Sequence, residues 1–131
     1  MKSFNLKVYF PFKNFRKFWE GIDDVKYSRH LKKRCKEKDI PKPTKELLKG
    51  GTVIECETDD SQNFVTKIVV RVPCTFFTKE YLTKHKDYIY VVKADGTIIS
   101  AWSNKHKDRH KSLDKSKYIQ PWQTSFSLFE D

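Results

Sequence analysis

Residues 88–103, YIYVVKADGTIISAWS, decide the fold. Two runs rich in β-branched and aromatic residues flank Ala94-Asp95-Gly96. Asp-Gly between alternating apolar residues is a strong signal for a β-hairpin. The reading therefore starts from antiparallel strands over Tyr88–Lys93 and Thr97–Ser103. Working back, Phe64–Val72 is predicted to be a strand because it is dense in β-branched residues. Val53–Thr58 is a fourth strand, and Asp59–Asn63 is a polar turn. Pro73 is expected to break the third strand, and residues 76–87 are read as a short helix or an ordered loop.

Ahead of these strands the period is helical. Ser28 is a suitable N-cap for a helix running to about Lys38, stopped by Asp39-Ile40-Pro41. Thr44 caps a second short helix, Lys45–Lys49, which Gly50-Gly51 ends. Residues 4–10 alternate well enough for a short strand ended by Pro11. Phe12, Phe15, Phe18 and Trp19 then fall at the spacing of a core-facing helical stripe closed by Gly21. The expected architecture is α+β: N-terminal helices packed on a four-stranded antiparallel meander. The 131 residues fit one domain over 1–131, with a basic extension over 104–131. Tyr118, Ile119, Trp122, Phe126 and Phe129 are expected to dock that extension on the core.

Charge narrows the function. The formal net charge is +10, with 27 Lys and Arg against 17 Asp and Glu. It is concentrated in two blocks. Residues 26–49 hold ten basic residues against three acidic ones, and residues 104–118 hold six against two. Two basic blocks on a nearly neutral body suit a polyanion, of which nucleic acid is the commonest. Only five of the basic residues are Arg: Arg16, Arg29, Arg34, Arg71 and Arg109. Arginine is favoured where a phosphate is gripped in fixed geometry, so these invite individual attention. Ten Phe, six Tyr and three Trp argue against a disordered tail. No apolar run approaches the roughly 20 residues of a membrane helix. The N-terminus lacks a cleavable secretory pattern. Cys35, Cys56 and Cys74 are too scattered for a disulfide framework and are read as buried, reduced thiols. His106 and His110 have helical ligand spacing, but the lysines around them oppose a cation, so neither a metal nor a cofactor is expected.

His30 and Arg34 are four apart and share a helix face. His30 also lies in the first turn, where free backbone N–H groups favour anions. In the third long strand, Ile68, Val70 and Val72 share one face, and Lys67, Val69 and Arg71 the other. In the last strand, strict alternation puts Ile98, Ser100 and Trp102 on one face and Ile99 and Ala101 on the other.

The run KYSRHLKKRCKEKDI, followed by a short helix and strands, resembles the opening of the RelE/barnase/colicin-type endoribonuclease superfamily. It is similar to the small domains marked by a YSxHxxxR helix before a meander, and to the KYSxHLxxR stretch of the phage endoribonuclease RegB. The hairpin, ending in Ser-x-Trp, is similar to the end of the colicin D nuclease domain. The resemblance implies a metal-independent, toxin-like or phage-encoded endoribonuclease of the bacterial or infected-host cytoplasm. It would cut mRNA or tRNA by 2′-OH attack, leaving a 2′,3′-cyclic phosphate. An antitoxin or immunity protein would be its neutralising partner. His30 would be the catalytic histidine and Arg34 would steady it or hold phosphate. Arg71 would be the strand cation, Ser100 a substrate-contacting hydroxyl and Trp102 a base-stacking ring. Lys26, Arg29, Lys33 and Lys67 would add substrate contacts. A second histidine on the sheet has no clear match. The alternative is a non-catalytic module that holds RNA or a host protein through the same basic fold.

Overall fold

The structure is a computed structural model that describes residues 4–12, 16–58, 65–78 and 85–105. Strand β1 is Phe4–Phe12, helix α1 Arg16–Glu20 and strand β2 Lys26–Tyr27. Helices α2 (Arg29–Lys38) and α3 (Lys45–Lys49) follow. Strands β3 (Thr52–Thr58), β4 (Val65–Pro73), β5 (Lys86–Lys93) and β6 (Thr97–Lys105) complete the described chain, with a single 3-10 turn at Cys74–Phe76.

The fold is α+β, and β3 to β6 form the expected antiparallel meander. The sheet is wider than four strands, in the order β1-β3-β4-β5-β6-β2. β1 joins β3 antiparallel, whereas β2 runs parallel to β6 through Lys26↔Thr97 and Tyr27↔Ile98. Pro11 does not end β1, and Phe12, expected in the first helix, belongs to that strand; of the expected helix, Arg16–Glu20 is helical and residues 13–15 lie outside the described residues. Pro73 is the last residue of β4, and Lys86 and Asp87 belong to β5 instead of a loop. The extension beyond Lys105, with His106 and His110, lies outside the described residues.

The three helices share one face of the sheet. Phe18, Trp19, Leu31, Cys35 and Leu48 pack in one cluster with Ile68, Val70, Val72, Tyr90, Val92 and Ile98. Two tyrosines of this layer bond to backbone: Tyr27 donates to the Pro43 carbonyl at 2.7 Å, and Tyr90 donates to that of Pro41. Two glycines are needed where chains touch. Gly96 has φ +90°, and a Cβ there would lie 2.9 Å from the Asp24 carbonyl oxygen. A Cβ on Gly51 would lie 2.7 Å from a Val70 methyl and 2.8 Å from the Arg71 carbonyl oxygen.

The other face of the sheet is mixed. It carries the alternate row Lys67, Val69 and Arg71, with Ile89 opposite Arg71 and Val91 opposite Val69. Val69 and Ile89 are buried outside the helix-side cluster. None of the described helices is long and apolar enough to cross a membrane.

Candidate functional site

Local sequence fixes α2 against the edge of β6. The Ser28 side chain accepts from the Leu31 N–H at 3.0 Å, capping the helix as its sequence predicts. The same residue is stitched to the strand: its N–H donates to the Ile98 carbonyl at 3.1 Å, and its hydroxyl to that of Ile99 at 3.4 Å. Two turns on, Arg34 Nε donates to the Ala101 carbonyl at 3.1 Å. These bonds occupy edge carbonyls that β2, only two residues long, leaves uncovered. At the C-terminal end, Asp39 adopts the left-handed conformation and the Ile40 N–H donates to the Cys35 carbonyl at 2.9 Å. An αL residue with that closing bond, ahead of Pro41, is what stops the helix.

A cleft of about 280 Å³ opens between the C-terminal half of α2 and the end of the β5–β6 pair. It is lined by Arg34, Lys38, Ile40, Lys86, Trp102 and Ser103. Arg34 and Lys38 are one helical turn apart, and Lys86 stands at the start of β5. Among the described residues, none of these three cations pairs with a carboxylate. Arg34 spends one of its five N–H donors on Ala101, which holds the guanidinium in place and leaves four for a ligand. A hydroxyl beside three cations that have no carboxylate partner among the described residues can offer a hydrogen bond and phosphate contacts together.

The expected site residues separate into groups. Arg34 and Trp102 meet at the cleft. His30 is exposed on α2, one turn before Arg34 on the same flank of the helix. Lys26, Arg29 and Lys33 are exposed, and Lys33 sits 3.9 Å from Glu37. Arg71 is elsewhere. Alternation along β4 puts it on the face away from α2, where Nε meets Asp87 Oδ2 at 2.6 Å. Its side chain and that of Asp87 are 14% and 7% exposed, so this guanidinium is already neutralised and largely out of solvent. It also donates to the Lys105 carbonyl at 3.4 Å. Lys67 lies on the same face and pairs with Glu57 at 2.9 Å. The structure therefore does not bring Arg71 and Lys67 into one hollow with His30.

The strand β6 departs from strict alternation. Val91 pairs with Ser100 but Val92 with Ile98, so a bulge falls at Ile99. The extra residue flips the register. Ile98 thus shares the helix-side core with Ala101, while Ser100 and Trp102 belong to the row of Val91 and Ile89. The grouping of Ile98 with Ser100 and Trp102 is overturned by that bulge. Ser100 is half-buried and does not line the cleft.

Four cleft residues are not among the site residues expected from the sequence: Lys38, Ile40, Lys86 and Ser103. Lys38 was findable, because it follows Arg34 by four on the same helix face. Lys86 was hidden by reading residues 76–87 as helix or loop.

The thiols are poor nucleophiles. Cys35, Cys56 and Cys74 are free and buried. Burial raises the Cys35 pKa, and burial with Glu55 and Glu57 nearby pushes Cys56 up to about 12. Burial, then Asp24, raises the Tyr27 phenol. At the hairpin, Asp95 accepts from the Thr97 N–H at 2.9 Å, which lowers its carboxyl pKa. Among the described residues no three His, Cys, Asp or Glu side chains converge as a metal site. No family model matches the chain, no curated protein is significantly similar to it in sequence, and no solved structure matches its fold.

Proposed function

We propose that the protein binds RNA and that the cleft between α2 and β6 is where it grips the strand. The observation carrying this reading is the convergence of Arg34, Lys38 and Lys86, without carboxylate partners among the described residues, on one cleft that Trp102 and Ser103 also line. Arg34, held by Ala101, presents a fork that suits a phosphate bidentately. Lys38 and Lys86 act as point charges on neighbouring phosphates. Ser103 offers a hydroxyl to the sugar–phosphate backbone. RNA, over other polyanions, follows from the resemblance of the α2 motif.

Cleavage is the second reading, favoured by one observation: His30 stands exposed on the flank of α2 that carries Arg34. In this reading the RelE/barnase-type arrangement is represented by α2 lying on the antiparallel sheet. The 2′-oxygen forms a bond to phosphorus and the bond from phosphorus to the 5′-oxygen breaks. A base takes the 2′-proton, an acid returns one to the 5′-oxygen, and the cleft cations stabilise the phosphorane. His30 supplies one of the two proton transfers. Arg71 and Ser100, expected beside it, have no place in this version of the site. An antitoxin or immunity protein would neutralise the enzyme by covering the cleft with carboxylates.

Both readings are tested by incubating total RNA with the protein in EDTA and examining mobility and chain length. Retarded, intact RNA with wild type and with Arg34→Gln abolishing retardation supports binding alone. Fragments ending in cyclic phosphate, lost at least about 100-fold in His30→Ala, support cleavage. Neither retardation nor fragments rejects both.

A further inference from the structure

Helix α2 carries a second set of cations that the cleft does not use. Arg29, Lys32, Lys33 and Lys36 are all exposed. Their spacing places them on one face, opposite the buried Leu31 and Cys35. The flank bearing Arg34 and Lys38 lies to one side of that face.

This outer face is costly to the helix itself. Arg29 with Lys32 and Lys33, and Lys32 and Lys33 with Lys36, are like-charged pairs three or four residues apart, a spacing that destabilises helices. No acidic residue stands in the first turn, so Arg29 faces the positive end of the helix dipole uncompensated. Among the described residues, the one salt bridge to these four cations is from Glu37, which meets Lys33 at 3.9 Å with both side chains more than half exposed. Glutamate at several of these positions would make a better isolated helix. These charges fit a ligand that supplies the missing negative charge in a row.

We propose that the outer face of α2 is a track for the phosphate backbone, so that an RNA strand seated in the cleft continues across the helix. This rests on the reading of the cleft as an RNA site. Ten residues of α2 span roughly 15 Å, enough for several consecutive phosphates. The ligand is thus a strand longer than the cleft can hold, and much of its affinity is electrostatic. The cleft selects and the track adds length-dependent grip.

The experiment measures anisotropy of labelled oligouridylates of about 4 and about 12 nucleotides, within the usual range of single-strand sites. Salt is varied between about 50 and about 200 mM. The triple variant Arg29→Gln, Lys32→Gln, Lys36→Gln is compared with Arg34→Gln. For the long strand the triple variant loses at least about tenfold in affinity at the lower salt, and its log–log salt slope falls by about 2, near 0.7 per phosphate lost. For the short strand its affinity stays within about twofold of wild type, and its melting temperature is equal or higher because like-charge repulsion is relieved. Arg34→Gln weakens both lengths. Unchanged affinity and slope for the long strand in the triple variant overturns the track. Arg34→Gln without effect on either length overturns the cleft reading, whatever the track does. Wild type that binds neither length overturns both.

Discussion

Arg34 and Arg71 carry the same guanidinium on opposite faces of one sheet. On the helix side, Arg34 bonds to a neutral partner, the Ala101 carbonyl, at 3.1 Å. Its charge stays available at a cleft shared with Lys38 and Lys86. On the far side, Arg71 meets a carboxylate, Asp87, at 2.6 Å and is only 14% exposed. Lys67 repeats the pattern with Glu57 at 2.9 Å. The helix-side layer keeps its core apolar, and Tyr27 and Tyr90 donate their hydroxyls to backbone carbonyls. The far face balances charge internally. A basic residue whose partner is a carbonyl keeps its charge for a ligand, whereas one whose partner is a carboxylate is a structural tie. Counting cations in the sequence does not separate the two.

The contrast breaks most visibly at the ion pair. Arg71→Leu leaves Asp87 largely buried without its guanidinium, and stability is expected to fall by about 3–5 kcal/mol in urea unfolding. Adding Asp87→Leu restores much of that loss, because the uncompensated charge is then gone. Loss of RNA binding in a folded Arg71 variant would erase the distinction between the two arginines. On the helix side, Gly51→Ala forces a methyl against Val70 and the Arg71 carbonyl, and should destabilise by about 1–3 kcal/mol without touching the cleft. Arg34→Gln gives the complementary result. Its hydrogen bond to Ala101 contributes only about 0.5–1.5 kcal/mol to stability, so the variant stays folded while RNA affinity falls about tenfold or more.

Smaller effects sharpen the picture at the turn that joins β5 to β6. The Asp95 carboxyl is held below its ordinary pKa by the Thr97 N–H. A depressed carboxyl stabilises the fold above its unfolded pKa, and that stabilisation is lost as pH falls through the lower folded value. Stability should therefore decline in acid somewhat more in wild type than in Asp95→Ala, read as urea midpoints at neutral pH and below about pH 4. Because this carboxyl is exposed, the difference is modest.

Much of the frame was legible because short-range rules governed it. Ser28 and Thr44 cap their helices as their hydroxyls predict. Ile68, Val70 and Val72 alternate with Lys67, Val69 and Arg71 because β4 keeps a period of two. Asp95-Gly96 turns the hairpin with φ +90° at Gly96. What stayed hidden was long-range or irregular. The pairing of β1 with β3, and of two-residue β2 with β6, depends on partners far along the chain. The bulge at Ile99 carries no glycine or proline to announce it, yet it reverses the side of the sheet on which Ser100 and Trp102 belong. The side of β4 that α2 would cover was equally open, and that choice separates Arg71 from His30. Arg34 and Trp102 were found as site residues, but the cleft they share with Lys86 depends on where β5 starts.

The direct test of this division is an amide NMR titration of the full chain with an oligouridylate. Chemical shifts should move along Arg34–Ile40, at Lys86 and at Trp102–Ser103, while Lys67, Val69 and Arg71 stay still. Shifts concentrated on Lys67–Arg71 with the α2 flank unmoved would contradict the account, since the ligand would then sit on the face whose charges are already paired.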